Sequence, residues 1–79
     1  MHLDGVEYEV LIATDVGRDS MQWECYSVAG PHKKLLLEVV RLDGRKQWVF
    51  IQHVEELPLS LVEYATSHAK IELGPFFEG

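Results

Sequence analysis

Cysteine is almost missing from this chain. Cys25 is the single one among 79 residues, so no internal disulfide can staple the fold. No apolar run approaches the roughly 20 residues of a bilayer span. Met1-His2-Leu3-Asp4 has neither the basic start nor the apolar segment of an export signal. These absences lead to an expectation of a cytoplasmic protein without a membrane span. Basic residues are also few, seven Lys and Arg against thirteen Asp and Glu, for a net charge of −6. Such a surface repels a phosphate backbone on average, which sets nucleic acid behind protein as a partner. The glycines stand apart from one another. Gly17 lacks the repeated glycines that cradle phosphate, and Gly30 precedes Pro31, which has no amide hydrogen to offer.

What is present is apolar: 47% of the residues, spread over most of the length. That suits one small globular domain spanning 1–79, with a thin core and apolar surface left for a partner or a second copy. Val6 to Thr14 alternates as a strand whose later half is apolar on both sides. Met21 to Val28 forms a second strand, with Met21, Trp23 and Cys25 on one face. Leu35 to Leu42 and Arg45 to His53 flank Asp43-Gly44, a pair suited to a two-residue type I′ turn. In that register Leu42 opposes Arg45, Val39 opposes Trp48 and Leu37 opposes Phe50. One face then carries Leu35, Leu37, Val39, Trp48 and Phe50, and the other Leu36, Val40, Leu42, Val49 and Ile51.

A helix follows. Ser60 and Glu63 have the spacing of a capping box, with Leu59 and Tyr64 at the staple positions. Val62, Ala65, Ala69 and Leu73 share a face, the two alanines permitting close approach to Trp48 and Phe50, and Gly74-Pro75 ends the helix. The expected fold is α+β: a four-stranded antiparallel sheet, open to strong curling, backed by one C-terminal helix. Residues 74–79 form a short aromatic tail.

The chemistry-bearing residues do not assemble into a motif. His53 with Glu55 and Glu56 lacks ligand spacing and reads as a polar junction before the helix. His68 reads as a surface residue one turn after Tyr64. Cys25 lies within a strand and reads as a buried thiol, although a non-local enzyme site pairing it with a histidine stays open. No cofactor and no metal site is expected. A hairpin apolar on both faces asks for more cover than one helix supplies. The leading expectation is therefore a protein-binding or regulatory module, its partner another protein or a second copy, acting through Leu36, Val40, Val49 and Ile51 or through Phe76 and Phe77 of the tail. The alternative is a single-stranded nucleic-acid surface formed by Trp48 and Phe50 beside Arg41, Arg45 and Lys46.

Overall fold

The computed structural model describes residues 1–78, so Gly79 of the expected tail lies outside the described residues. The chain is α+β, an antiparallel sheet followed by one C-terminal helix. The strands are β1 (His2–Leu3), β2 (Val6–Asp15), β3 (Ser20–Ser27), β4 (Lys34–Leu42) and β5 (Gln47–Gln52), and the helix is α1 (Leu59–Leu73). Each strand pairs with its neighbours in sequence, giving the order β1-β2-β3-β4-β5.

The sheet has five strands rather than the expected four. The added β1 is short, and it is made by a turn. Asp4 and Gly5 both take positive φ, 51° and 79°, which joins Leu3 to Val6 through a two-residue loop of type I′ character. The same dipeptide at Asp43-Gly44 does not behave this way. Leu42 pairs with Gln47, so the β4–β5 loop spans four residues, with Lys46 N–H donating to the Asp43 carbonyl at 3.3 Å and Lys46 carrying the positive φ of 51°. Arg45 belongs to the loop and not to a strand. The β2–β3 loop repeats this build: Asp15 pairs with Ser20, Asp19 N–H donates to the Val16 carbonyl at 3.2 Å, and Asp19 has φ 54°. The two loops lie side by side, since Asp43 N–H donates to the Asp19 carbonyl at 2.9 Å.

The longer loop slides β5 by two residues from the expected register, so that Val39 faces Phe50 and Leu37 faces Gln52. An even slip leaves each side chain on its expected face. The bulge between β3 and β4 does not: Cys25 pairs with Leu37 while Tyr26 pairs with Leu35. Leu36, expected on the far face, instead packs against the core.

The helix lies over β3 and β4. Its buried residues are Leu61, Ala65, Ala69 and Leu73, with Leu61 in place of the expected Val62. Beneath them lie Trp23, Cys25, Leu37 and Val39, so the aromatic at the centre is Trp23 rather than Trp48. Its ring is 1% exposed, and its Nε1–H donates to Glu72 of the helix at 2.6 Å.

The helix begins one residue before Ser60. Pro58 occupies the cap position with φ −57°, and its carbonyl accepts from Leu61 N–H at 3.0 Å and Val62 N–H at 3.2 Å. Ser60 makes no cap and donates to Asp4 at 2.7 Å on the surface. Leu59 is exposed, so no staple forms with Tyr64. Ser60→Ala should therefore change the unfolding free energy by less than about 0.5 kcal/mol, the scale of an ordinary surface change rather than of a lost cap. Denaturant titration of the two proteins checks this. Gly74 closes the helix as expected, with φ 76° and its N–H donating to the Lys70 carbonyl at 3.0 Å.

Candidate functional site

The surface divides into four regions, each built by the turns and strands above. The far face of the sheet offers less open apolar area than the sequence pattern implies. Val40 and Leu42 are buried; in register Val40 lies between Gln22 and Val49. Val49 and Ile51 are half-buried. Of the four residues proposed for this face, Leu36 lies in the core layer and Val40 is covered, leaving Val49 and Ile51 accessible.

The second region is the expected nucleic-acid patch, and its members are not brought together as a basic rim. Arg41 points inward and is buried. Its Nη1 donates to the Leu73 carbonyl, and its Nη2 lies 3.1 Å from Asp43 Oδ2 and 3.2 Å from Met21 Sδ. Nε sits 2.8 Å from Asp43 Oδ1 without aligning for a hydrogen bond. The guanidinium thus neutralises a carboxylate and meets the negative end of the helix at once. Lys46 is held by Glu78 at 3.0 Å and by the Phe77 carbonyl at 3.3 Å. Trp48 is half-buried, with Phe76 at 5.6 Å between ring centroids and Lys70 at 6.0 Å from the ring. Arg45 and Phe50 are exposed.

The tail is the third region. Phe76 packs on Trp48, while Phe77 donates its N–H to Asp43 Oδ1 at 2.9 Å and leaves its ring 65% exposed. The two adjacent aromatics therefore do different work, one packing and one standing free. Phe76→Ala should cost about 1–2 kcal/mol from lost burial and the lost aromatic pair, measured by thermal or denaturant unfolding. The Phe77 amide is also the chief cause of the lowered pKa of Asp43; burial opposes it and Arg41 reinforces it.

Beside Phe77 opens a cleft of about 290 Å³, lined by Thr14, Asp15, Val16, Met21, Arg41 and Asp43, among others. This is small for a cofactor pocket. Its accessible lining is mostly apolar, with Val16 and Phe77 among the residues that form it.

The fourth region is β2, which the sequence did not single out as a site. Val6, Leu11, Ile12 and Val16 are all exposed, the last at 93%. Apolar residues on both sides of its later half are the signal that marked it.

The enzyme reading finds its nucleophile out of reach. Cys25 is fully buried, and burial pushes its thiol up to about 11, so the thiolate form is negligible at neutral pH. His68 stacks on Tyr64 at 3.7 Å, His53 contacts Glu38 at 2.7 Å and His2 contacts Glu7 at 2.6 Å, each in a separate place. Among the described residues no three His, Cys, Asp or Glu side chains are grouped to hold a metal ion. No described helix is long and apolar enough to cross a membrane. Comparison with protein-family models, with curated proteins and with solved structures returned no match.

Proposed function

We propose that this domain is a protein-binding module that works through its surface, with β2 and the adjoining Val16–Phe77 rim as the contact region. The observation that carries the reading is the run of exposed apolar side chains on β2 and the turn that ends it: Leu11 on one face of the sheet, Ile12 on the other, and Val16 with Phe77 at the cleft. Exposed apolar groups gathered in one region mark contact surfaces, whereas scattered single ones do not. Val49 and Ile51 of the far face extend the accessible apolar set. The acidic charge of −6 favours a basic protein surface on the other side and speeds encounter with it.

The test is affinity capture from the source extract, with nuclease treatment, comparing the native domain with a Val16→Asp, Phe77→Asp variant. A saturable, nuclease-resistant partner held by the native domain and lost by the variant supports the assignment. Equal capture by both, or capture abolished by nuclease, overturns it.

A further inference from the structure

We propose that the free edge of β2 pairs antiparallel with β2 of a second copy, across a twofold axis at Ile12. This deepens the protein-binding reading by committing one part of that surface to one partner, the chain itself.

Met1 both donates to the Tyr8 carbonyl, at 2.9 Å, and accepts from the Tyr8 N–H, at 2.7 Å. Tyr8 therefore directs both of its backbone groups outward, away from β3. β2 runs in unbroken register against β3 from Tyr8 to Asp15, so alternation continues. Val10, Ile12 and Thr14 direct N–H and C=O outward, and Glu9, Leu11, Ala13 and Asp15 direct theirs to β3. Among the described residues, β1 covers this edge as far as Tyr8. The open stretch is Glu9 to Asp15, about 23 Å at 3.3 Å per residue.

An uncovered edge of this length is usually blunted by charge, proline or a bulge. Here Val10-Leu11-Ile12-Ala13-Thr14 contains none of these. The other edge of the sheet is treated differently: β5 is shorter, and Phe76 of the tail packs on Trp48 at its start.

The sequence of the open stretch also selects its own copy as the partner. Glu9-Val10-Leu11-Ile12-Ala13-Thr14-Asp15 reads in either direction as acid, β-branched, apolar, Ile, apolar, β-branched, acid. A twofold axis at Ile12 sets Ile12 against itself, Val10 against Thr14 and Leu11 against Ala13. Ile12 against itself and the two Val10–Thr14 pairs are hydrogen-bonded pairs, each exchanging two N–H···O bonds. Any other centre leaves outward groups unmatched or runs the second copy into β1. The same axis covers Leu11 and Ile12, and it brings Val16 of each copy to the Met1 end of the other. Glu9 meets Asp15 of the other copy at each end, where Lys33, 2.9 Å from Glu9, supplies the opposite charge. Such a contact falls short of the roughly 1,600 Å² of a standard interface, so the expected dissociation constant is micromolar.

The experiment is sedimentation equilibrium from low to high micromolar protein on the native chain, on Ile12→Lys, on Ile12→Glu and on their equimolar mixture. Ile12 is about half exposed, so either charge is compatible with the fold, which circular dichroism checks. The native chain should dimerise with concentration. Each variant alone should associate roughly tenfold or more weakly, because it places like charges opposite one another. The mixture should recover dimer, the result expected when residue 12 lies beside residue 12 of the other copy. Hydrogen exchange at high concentration should slow the Val10, Ile12 and Thr14 amides and leave Leu11 and Ala13 unchanged. A native chain monomeric at all concentrations, dimers indifferent to both charges, or a mixture that stays monomeric would each overturn the proposal. A monomeric chain that still captures a partner through Val16 and Phe77 leaves the protein-binding function standing, so the two failures are separable.

Discussion

Trp23→Ala should destabilise this protein more than any other single truncation, by about 3–5 kcal/mol in denaturant unfolding. Trp23 is 1% exposed, lies under the helix and sits in the layer formed by Cys25, Leu37, Val39, Leu61 and Ala65. Ala65 and Ala69 cannot swell to fill the space, so much of the cavity persists. The change also leaves Glu72 without its 2.6 Å donor. Trp23→Phe separates the two contributions: it keeps most of the ring volume and loses the N–H. Its cost should be well below that of alanine. A native-like midpoint for Trp23→Ala would mean that the helix does not rest on this ring.

The second large effect is expected at Arg41. Arg41→Met keeps much of the stem but leaves Asp43 unpaired and removes the donor to the Leu73 carbonyl. The thermal midpoint should fall by several degrees. Adding Asp43→Asn to that variant should restore part of the loss, because the amide oxygen can still accept from Phe77 N–H while the uncompensated charge is gone. The pH profile supplies an independent readout. Asp43 has its pKa held below the ordinary 3.8, first by the Phe77 amide and then by Arg41. A lowered folded-state pKa stabilises above the ordinary value, and that stability is lost as pH falls from there through the folded value. Asp43→Asn should flatten the acid limb of stability below about pH 4. Glu7, lowered chiefly by its hydrogen bond to His2, adds a loss in the same direction. An acid limb unchanged by Asp43→Asn would show that the carboxylate is not held as described.

The order of the four longer strands and the helix, and most strand faces, were legible in the sequence because alternation and turn residues are local signals; the two-residue β1 was too short to show alternation. The faces survived even a wrong β4–β5 register, since the slip was by an even number. What the sequence hid was non-local. Asp43-Gly44 looks like a two-residue turn, but Asp43 is bound to Arg41, to Phe77 and through its N–H to Asp19; nothing local announces those partners. Arg41 looked like one member of a basic group because a charge count cannot see the Leu73 carbonyl. Leu36 changed sides through a bulge that leaves no strong mark in composition. Trp48 was the expected partner of the helix; Trp23 takes that place because the helix lies over β3 and β4 rather than over β5. Of the candidate surface, the tail was visible as two adjacent aromatics. The division of labour between Phe76 and Phe77 depends on where Trp48 and Asp43 lie in space.

The neighbour-to-neighbour order of the sheet has a consequence for how the molecule assembles. Every strand pairing closes a short hairpin, so the sheet can zip from any turn with little loop entropy to overcome, which favours rapid folding. The helix is the exception. Trp23 and Glu72 meet across 49 positions of chain. Until that late contact forms, the face bearing Trp23, Leu37 and Val39 is wet and the uncharged edge of β2 lies beside it. A sheet formed ahead of its helix would expose that face and that edge together, so the yield of renaturation is expected to fall as protein concentration rises.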